Sequence, residues 1–79
     1  MADQLLLDRI HTSPNVMTGK PVVRGTRVTV EHILNLLAHD LNVADVLAEY
    51  PGLTSDDIKA CLAYAGRIIE RERLSVVAS

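Results

Sequence analysis

The side chains able to do chemistry in this 79-residue chain are three histidines, one cysteine, an adjacent pair of aspartates and two groups of basic residues. His11, His32 and His39 are spread along the sequence. Only His32 and His39, seven residues apart, can share a helix face, and no third ligand stands beside them, so they read as edge-of-core or surface histidines rather than a metal site. Cys61 falls within an apolar helical stripe, where a core thiol is the expected role and a nucleophile is not. Asp56 and Asp57 are explained as first-turn acids that favour the positive end of a helix dipole, not as an acid and base pair. The expectation is a protein without catalytic residues, bound metal or cofactor, and hence not an enzyme.

The basic residues offer binding chemistry instead. Lys20, Arg24 and Arg27 sit in one twelve-residue stretch, Gly19 to Val30, and can contact phosphates if that stretch lies along a duplex. The alternative is that Arg24 or Arg27 pairs with helix acids inside the protein. Arg67, Arg71 and Arg73 fall within two helical turns, with Arg67 and Arg71 on a shared face. They suit bidentate contact with the acidic pocket of a partner, or else form a solvated face.

Charge is unevenly distributed around a net −2: residues 1–30 carry +2, residues 31–66 carry −5 and residues 67–79 carry +1. Any nucleic-acid contact is therefore expected from the early arm or the chain ends. With two tyrosines as the whole aromatic complement, the case for a base-stacking platform is weak. No apolar run is long enough to span a bilayer, Asp3 and Asp8 occupy the place of a basic leader segment, and a single cysteine permits no internal disulfide. These features predict a cytoplasmic chain that does not associate with membranes. A domain this short buries a limited core, which favours an oligomer, expected as a homodimer, or a bound partner.

The elements that must position these residues follow from local signals. Leu5–His11 fits neither strict alternation nor a capped helix, and we expect extended chain near Leu7–His11. Ser13-Pro14-Asn15 signals a turn and 15–20 a loop. Val22-Val23-Arg24 and Arg27-Val28-Thr29 flank Gly25-Thr26, which predicts a hairpin with Gly25 at the first central position of a type II′ turn. Such short strands must pair further, so an open strand edge is a route to association.

Thr29 should cap a first helix ending near His39, with Val30, Ile33, Leu34, Leu37 and Leu41 as its stripe. Asn42 should cap a second over Val43–Tyr50, stopped by Pro51 and Gly52. Thr54 should cap a third running to about Leu74, roughly 28 Å long and longer than its short neighbour can cover. The predicted organisation is a single domain over 1–79, with a β arm over 7–29, a helical part over 30–74 and a frayed tail over 75–79. A short helix, a tight turn and a longer helix form the outline of a helix-turn-helix. Its groove-facing end would be Ser55, Asp56 and Asp57, two of which repel phosphate.

The string Gly19-Lys20-Pro21-Val22-Val23-Arg24-Gly25-Thr26-Arg27-Val28-Thr29-Val30, followed by Ile33-Leu34, Tyr50-Pro51-Gly52-Leu53-Thr54 and Asp57-Ile58, closely resembles the domain-of-unknown-function family 433. The resemblance covers about residues 9–66. It implies a VapB-like antitoxin with a three-helix, homeodomain-like fold, mainly α with a short N-terminal β arm, paired with a PIN-like ribonuclease toxin and repressing its own operator DNA. Where family members usually have Gly after the first helix, this chain has Asp40. A DNA-binding regulator or architectural module without a toxin is the alternative. In the antitoxin reading Arg67, Arg71 and Arg73 meet the toxin, and Lys20, Arg24 and Arg27 meet DNA.

Overall fold

The computed structural model describes residues 2–78, with side chains from Gln4 to Glu72. Its elements are α1 (Ala2–Leu7), β1 (Ile10–His11), a single 3-10 turn (Met17–Gly19) inside the expected loop, β2 (Val22–Val23), α2 (Val30–Ala38), α3 (Val43–Glu49) and α4 (Ser55–Ala78). The protein is mainly helical, with one two-stranded antiparallel sheet in which Ile10 faces Val23 and His11 faces Val22.

The start of the chain differs from expectation. Three consecutive leucines favour helix, and Leu6 and Leu7 are half-buried, so the segment is helical to Leu7 and becomes extended only at Ile10. The arm therefore begins at Ile10, and a fourth helix precedes the three expected. At the other end α4 continues to Ala78, past the predicted limit at Leu74. Ser79 lies outside the described residues.

The Gly25 turn also differs. The Thr26 amide donates to the Val23 carbonyl at 3.0 Å, making Val23–Thr26 the turn, and Gly25 occupies its third position with φ +83°. A type II turn requires positive φ there, whereas the II′ turn expected would have put Gly25 second. The Thr26 hydroxyl donates to the Val23 carbonyl and accepts from the Val28 amide, fixing a four-residue loop between Val23 and Val28. Arg27–Thr29 then forms a single bridge, Thr29 to Val22, instead of a strand. Val22 is thereby flanked on both sides, by His11 and by Thr29, so the edge that suggested association through β2 is filled.

Side-chain caps set all three later helix starts. The Thr29 hydroxyl accepts from the His32 amide at 3.0 Å, and the Val30 amide is taken by the Pro21 carbonyl, which ties α2 to the arm. Asn42 and Asp45 form a reciprocal capping box on α3, and Thr54 and Asp57 form another on α4. α2 leaves through Asp40 at φ +72°, keeping the left-handed exit without glycine at a cost of about 1 kcal/mol.

Ile33, Val46, Ile58, Ala60 and Cys61, each at most 1% exposed, form the centre where α2, α3 and α4 meet, and Val23 joins it from the arm. The molecule measures 43 × 30 × 26 Å. At 1.5 Å per residue α4 alone is about 36 Å long, so it accounts for the elongation.

Candidate functional site

Three surface features contain the chemically capable side chains. The first is a charged cleft of about 880 Å³ where α1, the Gly25 loop and the start of α4 meet, lined by Leu5, Leu6, Asp8, Arg9, Arg24, Asp56, Asp57 and Lys59. Its fixed point is Asp57. One carboxylate oxygen accepts from the Thr54 amide at 2.9 Å and the other from the Arg9 guanidinium at 3.1 Å, with Asp56 3.7 Å from the same arginine. An acid 7% exposed is tolerated because both oxygens are occupied. The arginine that neutralises the helix acids is thus Arg9, not Arg24 or Arg27. Its partner lies 48 residues away, so only the capping spacing Thr54-x-x-Asp57 is visible in sequence.

Lys20, Arg24 and Arg27 are all exposed but differently engaged. Lys20 pairs with Glu31 at 3.1 Å, at the start of α2. Arg24 donates through Nε to the Asp8 carbonyl at 2.8 Å, which leaves the rest of its guanidinium at the cleft. Arg27 makes no ion pair among the described residues.

The second feature is an apolar groove of about 360 Å³ between α2 and the middle of α4, walled by Pro21, Leu34, Tyr64, Ile68 and Ile69. The third is the exposed run of α4 beyond it. Arg67 and Arg71 are exposed there, one turn apart, and neither makes an ion pair among the described residues. The Arg73 side chain lies outside the described residues.

Two of the three histidines make side-chain hydrogen bonds within the fold. His32 Nε2 lies 2.7 Å from the Tyr50 hydroxyl with the rings edge to face, joining α2 to the end of α3. His39 Nδ1 donates to the Asn35 carbonyl at 2.6 Å, which requires the proton on that nitrogen. No cluster of three metal-ligating residues occurs among the described residues. Burial, and then the Asp57 carboxylate, push the Cys61 thiol up to about 11, so it stays protonated and unreactive near neutrality. Among the described residues no helix is long and apolar enough to cross a membrane.

Residues 10–65, from β1 to the middle of α4, match the family described as "Protein of unknown function (DUF433)". The chain belongs to the DUF433 family. Its fold is similar to the crystal structure of a DUF433 member from Anabaena variabilis ATCC 29413, with a TM-score of 0.76 and 28% identity over 94% of this chain and 73% of that one. In sequence it is similar to the uncharacterized protein y4eO of Sinorhizobium fredii (strain NBRC 101917 / NGR234), 36% identical over 56 residues that make up 71% of this chain and 25% of that protein. This DUF433 chain thus spans a quarter of the length of that relative. The family match contains the arm and the Arg24, Asp56, Asp57 and Lys59 side of the cleft, whereas Leu5, Leu6, Asp8 and Arg9 precede it and Arg67, Arg71 and Arg73 lie beyond its end at residue 65.

Proposed function

We propose that this DUF433 chain is a non-enzymatic antitoxin that binds and neutralises a PIN-like ribonuclease. The observation that carries this reading is the exposed Arg67 and Arg71 pair, one turn apart and without internal partners among the described residues, beside an apolar groove. A nuclease of that type gathers carboxylates around its metal ions. A rigid helix that brings two guanidinium forks to those carboxylates, while the groove takes an apolar segment of the nuclease, blocks the cleft by charge-assisted hydrogen bonds and by bulk. Arg73 extends the row in sequence.

In this reading α3, the Tyr50–Thr54 connection and α4 are a homeodomain-like helix-turn-helix kept as a scaffold, because its leading residues are acidic and Asp57 is already committed to Arg9. Operator contact then falls to Arg24 and Arg27, with Lys20 held back by Glu31.

The test is co-expression with the product of an adjacent PIN-like gene. The triple change Arg67→Ala, Arg71→Ala, Arg73→Ala should abolish growth rescue and co-purification while the chain stays folded. Unchanged rescue overturns the arginine assignment. If the chain shifts its operator with no nuclease neighbour, and Arg24→Ala with Arg27→Ala removes the shift, the regulator reading replaces it.

A further inference from the structure

Gly66 lies in the interior of a 24-residue helix, where glycine costs about 1 kcal/mol relative to alanine. Among the described residues nothing requires it. A Cβ at this position would meet nothing within 4 Å, and its φ is not in the left-handed range. On either side of it stand Leu62 and Ile69, 51% and 59% exposed. Seven residues are close to two helical turns, so these two side chains form one seam with the glycine notch beside it.

We propose that this face of α4 is an antiparallel self-association surface, occupied by α4 of a second copy of the chain crossing at Gly66. The register is self-complementary. With the two-fold axis near Ala65 and Gly66, Leu62 of each copy meets Ile69 of the other, and Gly66 lets the backbones approach. Lys59 and Glu70 then meet across the interface, once on each side of the axis. Eleven residues are close to three turns, so Lys59 and Glu70 lie on the same flank of the seam. Their positions relative to α1 agree: Lys59 lines one cleft with Leu5 and Leu6, and Glu70 lines another with Leu7. Both are exposed and neither is in an ion pair among the described residues. Along one helix they are about 16 Å apart, too far to pair with each other, and antiparallel pairing brings together opposite charges that a parallel pair would leave facing their own kind. The surface shares Ile69 with the groove of the antitoxin reading, and the oligomeric state of the chain alone reads it separately from nuclease binding.

Sedimentation equilibrium of the full chain at tens of micromolar tests this. The wild type should be a dimer whose melting temperature rises with concentration. Gly66→Gln inserts a good helix former into open space, so it should keep or raise helicity while giving a monomer. Lys59→Glu and Glu70→Lys should each weaken the dimer about tenfold, since two like-charge contacts are created by each change. The double variant should restore the wild-type constant to within about threefold, because the exchanged charges face each other again. A monomeric wild type, or a double variant as weak as the singles, overturns the proposal. A dimeric Gly66→Gln variant overturns it equally.

Discussion

The two halves of α4 follow different rules although they form one continuous helix. From Ser55 to Cys61 the helix is fixed by its surroundings: a capping box at its start, Asp57 held by Arg9, and Ile58, Ala60 and Cys61 in the core. From Gly66 to Glu72 it presents Gly66, Arg67, Ile69, Glu70, Arg71 and Glu72 to solvent. The first half has tertiary packing as its source of stability. The second packs more loosely, with half-buried Ile68 beside Leu34 of α2, and relies more on helix propensity. The packed and the open parts are thus separated along a single element, and the proposed recognition surface lies on the open part.

Substitutions can break this division, and the largest effect belongs to the packed half. Ile58→Ala removes a side chain 1% exposed from the centre of the three helices and should cost about 2–5 kcal/mol, read as a fall in the urea midpoint. Asp57→Ala should cost about 2–3 kcal/mol by removing the Thr54 cap partner and a charge-assisted bond to Arg9. Arg9→Ala in the same background should add little, since its charged partner has already gone. A fully additive double variant would show that Arg9 and Asp57 are not coupled.

How far this division is legible in sequence depends on range. Thr29, Asn42 and Thr54 announce their helices because a cap acts on an amide three residues ahead. The starts of α2, α3 and α4 fall accordingly where the residues predict. α1 is less legible, because Leu5–His11 has no cap and takes its conformation from packing on α4. Gly25 signals a turn but not its own place in it, which the Thr26 hydroxyl decides by bridging Val23 and Val28. The partners of the charges are least legible. Lys20 finds Glu31 across 11 residues and Arg9 finds Asp57 across 48, and neither choice has a local cause. In the candidate site, the spacing of Arg67 and Arg71 marks a shared face, while their lack of ion pairs among the described residues depends on where the acids of α4 point.

Between pH 9 and 11 the packed half should also lose stability in a way the open half does not. The Cys61 thiol titrates near 9.0 when exposed and near 11 in the fold. In that window the unfolded chain has released a proton that the native chain keeps, so stability falls as pH rises. The loss is about 3 kcal/mol, complete above pH 11 and absent below 9. Cys61→Ala should flatten this part of the pH profile despite lowering stability overall. The same burial predicts that a disulfide reagent at pH 8 labels the native thiol only at the rate of unfolding.

The smallest stability effect should come from the residues assigned to recognition. Arg67→Ala and Arg71→Ala place a good helix former at exposed positions without ion pairs among the described residues, so each should change folding stability by no more than about 0.5 kcal/mol in either direction. Asp57→Ala, by contrast, should destabilise the chain and weaken partner binding only in proportion to the unfolded fraction. The comparison is sharpest when both variants are measured for urea midpoint and nuclease binding. Loss of binding at an unchanged midpoint for Arg67 and Arg71, with loss of midpoint for Asp57, places recognition on the open half. Equal destabilisation by all three would mean that the far half of α4 is held by the fold after all, and that its arginines serve packing through their aliphatic stems.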